Sequence, residues 1–96
     1  MKSVSSLTFS AYISNPKNSF AYLRRGLANS GLHDYQKAIP DFDKAIEIDP
    51  KYGEAYAKRG IAKNLSGNKT SGCDDLNKAK ELGYIKAEEL ISKYCK

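Results

Sequence analysis

Tryptophan is absent from this chain of 96 residues, histidine occurs once, cysteine twice and proline three times. The scarcity of proline and the lack of tryptophan, with abundant alanine, lysine and glutamate, favour helices over sheets. The lone His33 has no companion ligand, and neither Cys73 nor Cys95 lies in a CxxC motif. These absences disfavour a zinc site and leave no Ser/His/Asp or Cys/His constellation for catalysis. We therefore expect no enzyme, no metal and no cofactor.

Long apolar runs are also missing. No stretch approaches the roughly 18 apolar residues that a membrane span requires, and residues 1–10 are too polar for the core of a signal peptide. The default expectation is a cytoplasmic chain with no membrane partner. The cysteines do not reveal the redox compartment: free thiols are favoured, although a terminal helix lying against the helix of Cys73 would permit a disulfide with Cys95.

The charge balance is basic, with 16 Lys and Arg against 11 Asp and Glu and a net charge of +5. Such a balance is compatible with nucleic acid or an acidic partner. The basic residues are spread along the chain, however, and the pairs Arg24-Arg25 and Lys58-Arg59 each point in two directions on a helix. A solvated helical surface is favoured over a phosphate-binding stripe.

The strongest positive signal is an internal repeat. Residues 21–28 (AYLRRGLA) return 34 residues later as residues 55–62 (AYAKRGIA), with five of eight positions identical. The same offset relates Asp41 to Asp75. A fixed period of this size indicates stacked supersecondary units.

Apolar periodicity and turn residues predict helices over about 19–30, 35–48, 52–65, 69–82 and 86–94. Residues 3–14 predict a short helix in the place of the second helix of an incomplete earlier unit, with a frayed tail as the alternative. Pro40 predicts a bend or a late start in the second helix, and Asn68 competes with Ser71 as the cap of the fourth. We expect one domain over 1–96, with boundaries at 1–17 (partial helix and turn), 18–51 (first unit), 52–84 (second unit) and 85–96 (cap helix).

These residues resemble the tetratricopeptide repeat family, whose 34-residue units are helix–turn–helix pairs with small residues where the helices cross. The resemblance covers residues 19–84 and implies an all-α stack of two repeats with a C-terminal cap helix. The positions that carry it are Tyr22, Gly26, Ala38, Phe42, Ala45 and Pro50, then Tyr56, Gly60, Gly72, Leu76 and Ala79, with Tyr84 where the family usually has proline.

Several positions depart from the family pattern: Arg25 and Arg59 replace a leucine, Asn29 and Lys63 replace an aromatic residue, and His33 replaces a turn glycine. Each arginine precedes an aspartate by 16 residues, which suggests the structural ion pairs Arg25–Asp41 and Arg59–Asp75, or pairing of an aspartate with the arginine of the next unit. The alternative is exposed charges that contribute little.

The resemblance implies a concave groove, lined by the first helix of each unit, that receives a peptide or a partner helix. Arg24 and Lys58 would attract carboxylates, but the family's chaperone-type carboxylate clamp is not supported, because apolar residues occupy its Lys and Asn positions. We expect a non-catalytic protein–protein interaction module; the alternatives are a homo-oligomeric structural element, such as a homodimer, and a basic nucleic-acid-associated adaptor. Carried over by position, the groove would present Phe20, Leu23, Arg24, Leu27, Ser30, Glu54, Ala57, Lys58, Ile61 and Asn64.

Overall fold

The computed structural model describes residues 18–96, which contain five helices and, over that range, no strand. The all-α repeat stack that the sequence predicts is confirmed. The predicted helix over 3–14 lies outside the described residues. The five helices are α1 (Ser19–Gly31), α2 (Tyr35–Ile48), α3 (Gly53–Leu65), α4 (Lys69–Glu81) and α5 (Ala87–Tyr94).

Side-chain caps fix where three of the helices begin. The side-chain oxygens of Asn18, Asp34 and Asn68 accept hydrogen bonds from the backbone N–H groups three residues later, at distances of 2.9, 3.3 and 3.3 Å. Each cap satisfies one of the free N–H groups of a first helical turn. Asn68 therefore caps α4, and Ser71 lies inside the helix.

Pro40 lies inside α2, which is continuous from Tyr35 to Ile48. Of the two outcomes predicted at Pro40, the late helix start is therefore wrong, and the bend stays a prediction. Proline lacks the N–H that would bond to the carbonyl of Gln36. Both residues are exposed, so water can satisfy that carbonyl and the helix tolerates the missing bond.

The helices pair as α1 with α2 and α3 with α4, and α3 also packs on α2. Glycines permit the close crossings within each pair. A methyl group on Gly60 would lie 2.6 Å from the carbonyl oxygen of Gly72, whereas one on Gly26 would meet the ring of Phe42 at 2.6 Å. In the second unit, the backbones of the two helices are therefore in contact. In the first unit, the ring of Phe42 packs against the backbone at Gly26.

Two apolar clusters hold the stack together. The first joins Leu23 and Phe42 of the first unit to Ala55 and Ala62 of α3, so it is shared between the two units. The second lies between the second unit and α5 and contains Ala57, Leu76, Ala79 and Ala87. Helix α5 therefore covers the apolar face that the second unit would otherwise expose.

A disulfide joins Cys73 in α4 to Cys95 at the end of α5, with Cα atoms 5.7 Å apart. The expectation that both thiols stay free is therefore wrong. The alternative is the arrangement that forms: the terminal helix lies against the helix of Cys73, and the disulfide with Cys95 closes.

Candidate protein-binding groove

The repeated arginine and aspartate meet in both units. In the first unit, Asp41 is only 5% exposed. Its Oδ1 accepts from Arg25 Nη2 at 2.7 Å and from Arg25 Nε at 3.0 Å. Asn29 Nδ2 donates to Asp41 Oδ2 at 3.2 Å. The bond to Asp41 raises the pKa of Arg25, and burial opposes that rise.

The second unit repeats this cluster, but here the arginine bonds to both oxygens of the aspartate instead of one. Arg59 donates from Nε and Nη2 to the two oxygens of Asp75, both at 2.8 Å, which is a bidentate pair. Lys63 Nζ lies 3.2 Å from Asp75 Oδ2. Hydrogen bonding to Asp75 raises the pKa of Arg59 well above its ordinary value, with Asp43 adding to the effect and burial opposing it.

Arg59 also crosses the boundary between the units, since its Nη1 donates to Asp43 Oδ1 of α2 at 2.8 Å. Sequence reasoning considered an inter-unit bond but assigned it to Asp41 instead of Asp43. A signal was present, because Asp43 precedes Arg59 by the same 16 residues that separate Arg59 from Asp75. Arg59 therefore bonds to carboxylates from both units at once.

These polar clusters explain the departures from the family pattern as a group. The residue in the usual leucine position is an arginine. In the usual aromatic position, Asn29 donates to Asp41 and Lys63 forms a salt bridge with Asp75. No buried side-chain nitrogen or oxygen of the described residues lacks a hydrogen-bond partner. The arginine–aspartate bonds join α1 to α2 and α3 to α4, and the bond to Asp43 joins α3 to α2.

Two of the predicted groove residues are wrong. Leu23 is 1% exposed and Ala57 is 0% exposed, so neither can contact a ligand. They share one repeat position, 34 residues apart, and that position packs into the apolar clusters. The resemblance by position therefore predicted a groove-facing side chain where this chain packs one into an apolar cluster.

Two further predicted residues face elsewhere. Asn64 Nδ2 donates to the backbone carbonyl of Tyr94 at 2.9 Å, so its side chain is engaged with the end of α5. Glu54 borders a separate hollow beside Tyr84 and Lys86. Phe20 and Arg24 are exposed and lie against each other, with Arg24 Cζ 6.0 Å from the ring centroid.

The remaining predicted residues converge on one hollow of about 270 Å³ between α1 and α3. We call it the inter-unit groove. Sequence reasoning placed four of its residues and missed four that come from helix ends and the first turn. Those four were not among the positions carried over from the family resemblance. The groove is lined by the predicted Leu27, Ser30, Lys58 and Ile61 and by the missed Gly31, His33, Tyr35 and Leu65.

The lining of the inter-unit groove is mostly apolar, and none of its residues is acidic. Leu65 is 50% exposed, while Leu27 and Ile61 are half-buried. Lys58 brings a positive charge, and no salt bridge joins it to another of the described residues. His33 and Tyr35 are already bonded to each other, with Nδ1 and the hydroxyl 2.9 Å apart.

Residues 19–52, which comprise α1, α2 and the turn that follows, match the family model described as tetratricopeptide repeat. The first unit of this chain is a tetratricopeptide repeat. The second unit extends this assignment, because its helices repeat those of the matched unit with a 34-residue offset.

Relatives of this tetratricopeptide repeat chain carry the same family name. It is 31% identical over 78 residues to small glutamine-rich tetratricopeptide repeat-containing protein 2 of Saccharomyces cerevisiae, a match that covers 81% of this chain and 22% of the relative. It is 32% identical over 68 residues to the tetratricopeptide repeat protein 36 homolog of Nematostella vectensis, covering 71% and 38%. The chain therefore spans well under half the length of these relatives.

Other kinds of site find no support in this tetratricopeptide repeat structure. Among residues 18–96, no three His, Cys, Asp or Glu side chains are grouped closely enough to hold a metal ion. No helix in the same range is both long and apolar enough to cross a membrane. The inter-unit groove is the hollow of the described chain that contains four of the predicted groove residues.

Proposed function

We propose that this chain is a non-catalytic protein–protein interaction module. Its ligand would be a peptide segment or partner helix with apolar and acidic side chains, held in the inter-unit groove. The observation that carries the proposal is the lining of that groove, which joins exposed apolar area to the cation of Lys58 without an acidic residue.

The size of the groove supports a few anchoring side chains instead of a complete small molecule. Its volume of about 270 Å³ lies below the range of about 300–1,000 Å³ that is usual for small-molecule pockets. One or two leucine-sized side chains would displace water from Leu27, Ile61 and Leu65. Full burial of each such side chain is worth roughly 1.5–3 kcal/mol before the cost of ordering the ligand.

Electrostatics supports the choice of an acidic ligand. A carboxylate next to Lys58 would meet a charge that has no other partner in the described chain, and Arg24 lies on the same helix as Leu27. Charge complementarity of this kind contributes specificity and association rate more than affinity. A basic ligand would be repelled.

The experiment starts from a random peptide library displayed on phage and selected against the full chain. We expect selected peptides to be enriched in Leu, Ile or Phe together with Asp or Glu. Their affinity is then measured by fluorescence anisotropy on two variants of the groove. Lys58→Glu and Leu65→Ser should each weaken binding by about tenfold or more.

Two matched variants control for charge and apolar area. Lys78→Glu makes the same charge change on the exposed surface of α4, and Leu32→Ser removes a leucine that is 78% exposed and outside the groove lining. Both should bind the selected peptides as the parent chain does. Equal loss in the groove and control variants, or a selection that yields no peptide, would overturn the proposal.

A further inference from the structure

Helix α5 is short, and its noncovalent attachment to the stack is one apolar stripe. It has eight residues: Ala87 at its start is fully buried, and Leu90, Ile91 and Tyr94 are partly buried against the second apolar cluster. Its salt bridge, Lys80 to Glu88 at 3.2 Å, joins exposed side chains and adds little stability. Helices this short are marginal on their own in water. The attachment of α5 therefore depends strongly on what fixes its far end.

The far end of α5 is fixed by the disulfide and two polar contacts. Cys95, directly after the helix, is bonded to Cys73 of α4. Beside it, Asn64 donates to the Tyr94 carbonyl, and Lys69 contacts the Lys96 backbone oxygen. Both cysteines are half-buried, not enclosed in the core, so an attacking thiolate can reach the bond.

The repeat period shows what the disulfide replaces. Cys73 and Cys95 lie 34 residues after Ile39 and Ile61, so α5 stands where the first helix of a third unit would begin. At the earlier step both positions carry isoleucine: Ile39 packs against the first apolar cluster and Ile61 against the second. At the α5 step a covalent bond, which a reductant can break, joins the two equivalent positions.

We propose that the Cys73–Cys95 bond is a redox latch that controls whether α5 stays on the end of the stack. A dithiol reductant opens the latch: its two thiols supply two electrons and two protons, the Cys73–Cys95 bond breaks, both cysteines become thiols and the reductant becomes a disulfide. Opening removes the anchor at Cys95, so α5 detaches. Its departure exposes the apolar face of Ala57, Leu76 and Ala79.

This latch is independent of the proposed groove function, since the groove lining contains neither cysteine nor any residue of α5. Failure of one proposal leaves the other standing. Peptide binding in the inter-unit groove would be tested with the disulfide intact, whereas the latch is tested by the local opening of α5.

The test is amide hydrogen exchange, followed by mass spectrometry on the full chain with and without a phosphine reductant. Peptides that cover residues 86–96 should exchange at least about tenfold faster after reduction, because closure of the loop no longer restricts the open chain. Peptides from residues 19–48 should be unchanged. Reoxidation in a glutathione buffer should restore the original protection of α5.

The variant Cys73→Ser/Cys95→Ser provides the control for the reductant itself. It should show rapid exchange over residues 86–96 in both conditions, with residues 19–48 as protected as in the parent chain. Three results would overturn the latch: unchanged exchange of α5 on reduction, faster exchange throughout residues 19–48, or a chain mass in the glutathione buffer that shows both thiols free.

Discussion

At the scale of single residues, buried aspartates with several donors are the defining feature of this chain. Asp75 is 6% exposed and pairs with Arg59 and Lys63, whereas Asp43 is exposed and, among the described residues, pairs only with Arg59. A buried charge that loses its partner costs far more than an exposed one, because it stays desolvated. The Arg59–Asp75 pair should therefore contribute much more to the free energy of unfolding than the Arg59–Asp43 pair.

Asp75→Asn should lower the free energy of unfolding by about 2–3 kcal/mol, because it removes the charge that compensates half-buried Arg59 and Lys63. Asp43→Asn makes the same chemical change on the same arginine at an exposed carboxylate, and should cost less than about 1 kcal/mol. Urea unfolding followed by circular dichroism measures both. Equal decreases in the free energy of unfolding would show that burial does not determine how much each pair contributes to stability.

The stability of the chain at high pH should depend on two tyrosines near Glu54. Burial raises the pKa of Tyr52 and of Tyr84 above the ordinary value, and the charge of Glu54 adds to both effects. Because the folded chain favours the protonated phenol, this stability is fully present below the unfolded pKa of about 10 and is lost as the pH rises through the folded values. Ultraviolet difference spectroscopy should show a late-titrating fraction of the tyrosines.

Glu54→Gln keeps the shape of the side chain and removes its charge, so it should move that late titration to lower pH. Tyr84→Phe should reduce its amplitude instead of moving it. A titration curve that neither substitution alters would contradict the assignment.

At the scale of elements, the two helical hairpins, α1–α2 and α3–α4, differ in how closely their helices cross. The α3–α4 crossing places Gly60 against the backbone of Gly72, and a backbone cannot move aside as the far end of a side chain can. The α1–α2 crossing places Gly26 against the ring of Phe42. We therefore expect the second hairpin to be the less tolerant of added volume.

Gly60→Ala should lower the free energy of unfolding by about 1–3 kcal/mol, since the new methyl group would lie 2.6 Å from the Gly72 carbonyl oxygen. Gly31→Ala is the matched control, because a methyl group there meets no atom within 4 Å. The control should be neutral or stabilising by up to about 1 kcal/mol through helix propensity. Thermal unfolding compares the two, and an equal effect would refute the packing argument.

The sequence determined the helices more reliably than their contacts. Capping residues such as Asn18 and Asp34 act locally, so helix starts could be predicted from the order of residues alone. The late start expected at Pro40 was wrong because the local rule ignores whether the orphaned carbonyl of Gln36 faces water. The Arg–Asp offsets recur across the repeat, so these pairs could be predicted from the sequence as well.

Contacts between elements were harder to predict. Leu23 and Ala57 were placed in the groove because their positions were carried over from the family, and a position does not show which neighbour covers the side chain. The groove residues His33, Tyr35 and Leu65 come from a turn and helix ends and were not among the positions carried over. A disulfide was possible from the sequence only if the last helix lay against α4, and the cysteine spacing alone does not establish that contact.

At the scale of the whole molecule, two units and α5 form a stack in which each interface has its own means of attachment. Apolar packing and the bond from Arg59 to Asp43 join the units, whereas a second apolar cluster and the disulfide join α5. The inter-unit groove lies between the units, and its lining contains neither cysteine. The proposed ligand-binding surface should therefore persist when the disulfide is reduced.

The central claim is that the inter-unit groove is where this chain binds a partner peptide. Two-dimensional NMR of the full chain, titrated with a phage-selected acidic and apolar peptide, tests it most directly. We predict that the largest shift changes fall on Leu27, Lys58, Ile61 and Leu65, with little change at Leu32 and Lys78. Changes centred on any other surface, or on α5 alone, would contradict the claim.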